Sequence, residues 1–324
     1  MKYRWLASLV TAGLAIPARG EPVTRPSEAM PSEPPVAKPK TVAAIAEPRA
    51  LDPKDLQTLT ADPVLGKADR IDGDEIKGVV AFTFDDGPNP ETTPHVIDAL
   101  EKYNVPATFF IVTQRITGTH GASGRELLHR EIDAGFLVGS HSVTHANLKR
   151  AATGQLAREV DASIQTLALE AERPIGLFRP PYGSLGPTGR GRLKRLGLTE
   201  VQWSVDTLDW KAHSADRLRK KVVSMIKHDD GGVVLMHDVK PITAKVIAGV
   251  LDDLEAENCA RLADHREPII PVSIHYFLKA GKKPRAIPAV VQQRTAAYRA
   301  ALPDRCAKRP QPEAGEPAAK HASK

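Results

Sequence analysis

Apolar blocks and helical-period stretches alternate through the middle of this chain. Blocks that suit buried strands lie at 79–84, 107–112, 137–139, 177–178, 200–203, 233–236 and 269–274. Between them, apolar residues recur at three- and four-residue steps over 94–103, 124–134, 153–169, 188–196, 215–227 and 241–257, which predicts helices. Strand followed by helix, repeated six or seven times, predicts an α/β domain with a parallel sheet, either a barrel or a doubly wound sheet. In both architectures functional side chains gather at the C-terminal ends of the strands. Polar, reactive residue types are therefore expected immediately after the apolar blocks.

The pattern fails at both ends. Residues 1–20 read as a signal peptide: Lys2 and Arg4 form a basic start, an apolar run extends from Trp5 to Ile16, and Ala18 and Gly20 suit a cleavage site. The run falls short of the roughly 17–25 residues of a bilayer span, so cleavage and export to a periplasm or the exterior are expected, with an uncleaved anchor as the alternative. Residues 21–76 are expected to be a Pro/Ala-rich linker, residues 77–280 the folded domain, and residues 281–324 a basic, partly disordered extension with a helix at 288–301.

Charge changes the picture once it is located. A net charge of +6 and a pI near 9.2 would suit a polyanionic partner. The excess of Lys and Arg lies in the leader and after Lys279, however, and the body between is mildly acidic. No nucleic-acid partner is expected. The basic tail reads as a solvated end, with contact to an anionic cell-surface polymer as the alternative. The only cysteines, Cys259 and Cys306, could form an intramolecular disulfide in an oxidising compartment.

The reactive residue types do follow the blocks. The first block runs into Asp85-Asp86-Gly87-Pro88, a pair of carboxylates that could equally be an ordinary Asp-Gly turn. The third runs into His141-Ser142-Val143-Thr144-His145. One such histidine pair arises easily by chance; combined with an Asp, it offers the nitrogen and oxygen ligands of a catalytic Zn²⁺. The fourth runs into Arg179-Pro180-Pro181-Tyr182-Gly183. Two consecutive prolines stiffen the backbone and remove two donors, so the Tyr182 N–H can be held in one direction, as an oxyanion requires. The fifth continues into Asp206-Thr207-Leu208-Asp209-Trp210 and the sixth into Leu235-Met236-His237-Asp238.

In order and spacing these segments resemble the five motifs of the NodB-homology polysaccharide deacetylases, carbohydrate esterase family four, over about 79–278. The resemblance implies a distorted (β/α) barrel with fewer than eight regular strands. It implies that Asp86, His141 and His145 bind a divalent metal, with Asp85 as general base held by Arg179. Tyr182 N–H would complete the oxyanion hole, and His237, tuned by Asp209, would be the general acid. Trp210 and Leu235, with Pro181 and Tyr182, would contact the substrate. Asp206 matches its motif without an assigned role. The stretch 115–124, with His120 inside it, does not align, and Phe136 and Ser140 stand where the family often has polar residues; these departures bear on substrate choice.

The implied reaction is hydrolysis of N-acetyl groups on an N-acetylglucosamine-containing glycan such as peptidoglycan or chitin. Two rivals are an O-acetyl esterase acting on xylan-type glycans and a non-catalytic carbohydrate-binding module. A metalloprotease fits less well, since no Glu follows the first His as in H-E-x-x-H.

Overall fold

Eight short parallel strands curl into one sheet. The structure is a computed structural model that describes residues 63–117 and 121–309. In chain order its elements are β1 (Val79–Asp85), α1 (Thr93–Tyr103), β2 (Ala107–Ile111), α2 (Gln114–Thr117), α3 (Gly121–Asp133), β3 (Leu137–Ser140) and α4 (Thr153–Leu156). A π turn (Ala157–Asp161) leads into α5 (Ala162–Glu170), β4 (Leu177–Phe178), α6 (Pro187–Leu196), β5 (Thr199–Glu200), β6 (Val205–Asp206), α7 (Ala215–Asp229), β7 (Gly231–His237), α8 (Pro241–Ala263) and β8 (Ile270–Pro271). A small antiparallel pair, β9 (Lys279–Ala280) and β10 (Lys283–Pro284), precedes α9 (Ala289–Ala307).

This is the distorted barrel that the motifs imply, a curled parallel sheet wrapped by helices, with the strand order β5-β4-β3-β2-β1-β7-β6 and β8 beside the start of β1. Strand β1 is central and buried along its whole length, which is why its sequence is a near-continuous apolar run, broken only by Thr83 before the terminal Asp85, rather than an alternating one. It pairs with β7 over seven residues and with β2 over four. Phe84 and Phe109 stack with ring centroids 5.2 Å apart, and Phe136 extends the cluster at 5.6 Å from Phe109.

The helices begin and end where backbone chemistry dictates. Proline occupies the first turn of α1, α6 and α8, where its missing N–H costs nothing. Left-handed Asn104 and Gly197 close α1 and α6 and donate back into the last turn. Helix α8 runs past its expected end at 257, because Asn258 faces inward and is bonded twice, at 2.8 Å each, to the backbone of Ile269.

Three expectations are corrected. The block at 200–203 forms ladder pairs only at Thr199–Glu200. Val201 then changes partner to bridge Ile71, and the next pairing is the separate β6. Residues 63–76, expected as linker, pack on the domain: Leu65 and Ile71 are buried, and Ile71 to Gly73 hydrogen-bond to Glu200 and Gln202 on one side and to Ser204 and Val233 on the other. These ties reach across the opening between β5 and β6. In the extension, the helix expected to end at 301 runs on through Pro303 to Ala307, with Tyr298 and Leu302 buried. Cys259 and Cys306 are joined, their α-carbons 5.4 Å apart. The expected signal peptide at 1–20, the linker as far as 62, His120 and the tail beyond 309 lie outside the described residues. No helix among the described residues is long and apolar enough to cross a membrane.

Candidate active site

Strands β1, β3, β4, β6 and β7 deliver their following residues to one end of the sheet. Four of the turns there place a non-glycine residue in the left-handed region: Asp86 (φ 75°), Ser142 (φ 70°) with His145 (φ 61°), Tyr182 (φ 59°), and Leu208 (φ 54°). Such residues cost on the order of 1–3 kcal/mol each and persist where surrounding contacts over-determine them, which is typical of functional sites.

The three expected metal ligands converge. One ligand atom from each of Asp86, His141 and His145 lies within 4.8 Å of the others. Asp86 Oδ1 is 3.6 Å from His141 Nε2 and 3.3 Å from His145 Nε2. Two tetrahedral ligands each about 2.0–2.1 Å from zinc are separated by about 3.3 Å, so these edges fit one ion. Asp86 Oδ1 is buried without a hydrogen-bond partner, a position that a cation would satisfy. His141 Nδ1 lies 2.7 Å from the carbonyl of Arg179. Donating there fixes the tautomer and leaves the Nε2 lone pair facing the cluster. Burial holds the His141 imidazole neutral, down at about 3, against the pull of Asp86. A neutral imidazole is the form that binds a metal.

Asp85 sits beside the triad, its Oδ2 3.6 Å from His141 Nε2. Arg179, fully buried, donates to Asp85 Oδ1 at 2.8 Å and to Thr83 Oγ1 at 2.7 Å. Its remaining guanidinium nitrogens reach the carbonyls of Val201 and Gln202, and the Phe110 ring lies 4.2 Å from its centre. Burial raises the Asp85 carboxyl above its ordinary range, and the charge of Arg179 opposes that rise only in part.

Across the sheet, His237 is the register partner of Asp85 on β7. Its Nδ1 lies 2.7 Å from Asp209 Oδ1, and its backbone N–H donates to Asp209 Oδ2 at 2.7 Å. Asp209 also accepts from Thr243 Oγ1 and from the Trp210 amide, so both its oxygens are held. Burial favours neutral His237, but the bond and charge of Asp209, with the charges of Asp85 and Asp86, outweigh it and push the imidazole up to about 9. In turn, His237 overcomes the burial of Asp209 and keeps that carboxyl below its ordinary range.

Tyr182 follows buried Pro181 on a tight turn; its ring is exposed and meets His145 edge-on at 4.5 Å. Trp210 is half exposed, whereas Leu235 is buried. Asp206 caps its own turn, accepting the Leu208 N–H at 3.0 Å. A groove of about 830 Å³ opens beside the triad, lined among others by Asp86, Glu91, Gln114, Arg115, Thr144 and His145. Arg115, from the stretch that does not align, thus stands at the site.

Several contributors were not foreseen. Thr83 and Thr243 orient Arg179 and Asp209, but threonine in a strand or near a helix start carries no chemical signal of its own. Asp238, next to His237, is buried; burial, against the bond from Thr93 and with the charge of Asp86, pushes it up to about 7. Its carboxylate packs against the α-carbon of Gly87, where any Cβ would collide with it. Glu159 binds the backbone of the His141–His145 loop from the π turn that follows α4.

Comparison with known proteins gives the same reading. Residues 72–201 match the profile of a family described as polysaccharide deacetylase. The chain is 37% identical over 165 residues to a chitooligosaccharide deacetylase of Bradyrhizobium, covering 50% of this chain and 71% of that protein. It is 35% identical to the peptidoglycan-N-acetylglucosamine deacetylase PgdA of Listeria monocytogenes, covering 55% of this chain but 36% of that protein. The match therefore spans about a third of the length of the Listeria relative. Among solved structures, the polysaccharide deacetylase Bc1974 from Bacillus cereus superposes with a TM-score of 0.50 at 25% identity, covering 60% of this chain and 91% of that one. With an Asp-His-His cluster at the strand ends and the Bradyrhizobium relative matched at 37% identity over 71% of its length, this chain belongs to the polysaccharide deacetylases, carbohydrate esterase family four.

Proposed function

We propose that this protein is a metal-dependent N-deacetylase that acts outside the cytoplasm on an N-acetylglucosamine-containing glycan, peptidoglycan or a chitin-like polymer, releasing acetate and leaving a free amine. The observation that carries the reading is the juxtaposition of the Asp86, His141 and His145 ligand atoms with Asp85 on one side and the Asp209-bound imidazole of His237 on the paired strand. The placement outside the cytoplasm rests on the leader-like sequence of residues 1–20.

Two imidazoles and one carboxylate, with room for a further ligand, suit Zn²⁺. Held there, the ion would polarise the acetamide carbonyl and lower the pKa of water. The chain's own residues carry the proton traffic. Asp85, its carboxyl raised by burial and pinned by Arg179, takes the proton of the attacking water. The oxyanion that develops on the carbonyl accepts from the Tyr182 amide, an interaction worth about 2.7–4 kcal/mol for one well-placed donor. An amide anion is too poor a leaving group to depart unprotonated, so His237, cationic at neutral pH, delivers a proton to the nitrogen. Asp209 fixes the ring and its tautomer so that Nε2 is the donating atom. Trp210, Leu235, Pro181 and the Tyr182 ring are assigned to contact with the sugar and its acetyl group.

The test is to follow acetate and primary amine release from peptidoglycan, chitin oligomers and acetylxylan, with and without a chelator. Acetate and amine in equal amounts, abolished by chelation, are expected. Acetate without amine would make the protein an O-acetyl esterase, and glycan binding with no acetate release would make it a binding module.

A further inference from the structure

The segment that carries both histidine ligands is irregular, and its backbone hydrogen bonds can be traced one by one. His141 N–H goes to the Ile111 carbonyl at 2.8 Å. The carbonyls of Ser142 and Val143 accept from the Thr113 and Gln114 amides. Ser142 N–H goes to Ser140 Oγ, and His145 N–H to Ser142 Oγ at 3.0 Å. The consecutive amides of Val143 and Thr144 both donate to a single oxygen, Glu159 Oε2, at 3.1 and 2.9 Å; Glu159 Oε1 accepts from Thr144 Oγ1 at 2.8 Å. Two successive N–H groups converging on one point form an anion-binding nest, and here the anion is supplied by the protein itself.

Glu159 lies on the π turn between α4 and α5, the one π segment among the described residues. Such turns occur often at functional sites. Four residues further on, Ser163 Oγ lies 2.6 Å from Ser140 Oγ and so anchors the serine chain that ends at the His145 amide. One helical segment therefore braces the ligand loop twice, through Glu159 at its middle and through Ser163 at its base. Ser142, between the braces, and His145, directly after them, are held in the left-handed backbone region.

We propose that Glu159 is a positioning residue for the metal centre, holding the His141–His145 loop in its ligating conformation through the Val143 and Thr144 amides while touching neither ion nor substrate. The inference rests on the reading of Asp86, His141 and His145 as metal ligands. Without the carboxylate, two adjacent amides lose their acceptor and the strained backbone at His145 loses a support. The cost then falls on binding of the ion rather than on the folded domain.

The experiment measures the Zn²⁺ dissociation constant of metal-stripped full-length protein by competition with a chromogenic chelator, together with the melting temperature of each metal-free variant. Glu159→Met keeps the length of the arm but removes both acceptor oxygens. It is expected to weaken Zn²⁺ binding by about 10- to 100-fold, the range for supporting groups around metal ligands, with metal-free melting close to wild type. Wild-type Zn²⁺ affinity in folded Glu159→Met overturns the proposal. Should that variant not fold, Glu159→Asp carries the same test, since a shorter arm cannot reach all three donors; unchanged affinity there also overturns it. His141→Ala separates the two levels of inference. Wild-type protein that binds Zn²⁺ no better than His141→Ala defeats the metal-centre reading and this proposal with it, whereas a difference there with none at Glu159 defeats this proposal alone.

Discussion

The strand-end face and the C-terminal helix α9 are both secured by charged groups, yet they use them differently. At the strand ends, buried groups face one another across short distances: Arg179 on Asp85, Asp209 on His237. Each holds its partner in a particular charge state and orientation, and none of that arrangement is needed to make a sheet. Helix α9 is attached from outside. It buries Tyr298 and Leu302, forms an ion pair from Arg305 to Glu255, followed just past its end by one from Arg309 to Asp252, and is tied to α8 by the Cys259–Cys306 disulfide. The ion pairs there are partly solvated and contribute little; the two side chains and the covalent link do most of the holding. Changes at the first region should therefore alter chemistry, and changes at the second stability.

Asp85→Asn gives the sharpest separation. It should lower kcat by about 10²- to 10⁴-fold, the range for a lost general base, while the metal content measured by elemental analysis stays at wild type. Near-normal turnover would remove Asp85 from its role. Arg179→Ala should break the comparison, because this residue belongs to both categories. Leaving Asp85 buried and unpaired is expected to cost about 3–5 kcal/mol in denaturant unfolding, and activity should fall with it. Lysine should not restore either, since it cannot reproduce the fork that reaches Asp85, Thr83, Val201 and Gln202. Replacing Cys259 and Cys306 together by serine should cost about 2–4 kcal/mol of stability with kcat/KM unchanged. A matching loss of activity would show that α9 communicates with the site.

The smallest expected effect is a displaced pH limb. His237 must be protonated to donate, so activity should fall as pH rises through about 9, where the Asp209-supported imidazole loses its proton. In Asp209→Asn that support is gone, and the falling limb should move to lower pH. Stability carries the same sign. The folded-state value lies above the ordinary 6.5, so the contribution of the His237–Asp209 pair is complete below about 6.5 and disappears as pH rises through about 9. An unmoved limb in Asp209→Asn would separate Asp209 from the titration.

The contrast also explains what could be read from the sequence. Strands β1, β2 and β7 are nearly continuous apolar runs, β1 and β7 with reactive residues at their ends, and their expected bounds hold to within two residues, because burial on both faces and, in those two, chemistry at the tip leave a mark on composition. Asp86, His141 and His145 could be chosen because their residue types are costly to collect in one place without a ligand. The missed features leave no such mark. Two-residue strands such as β5 and β6 are fixed by partners far away in sequence. Residues 63–76 look like linker by composition, yet Leu65 and Ile71 find a surface that only the folded sheet provides. Glu159 resembles any acid on an amphipathic helix until the loop it serves is folded against it.

That early segment has a consequence of its own. By lying between Val201 and Val233, Ile71 to Gly73 seal a cleft whose two rims would otherwise expose unpaired peptide groups. A shortened protein starting at residue 77 would keep every catalytic side chain but gain two open edges, each a template for pairing with another molecule. Its failure would appear as self-association in solution, and the remedy would be to restore a few residues that carry no chemistry at all.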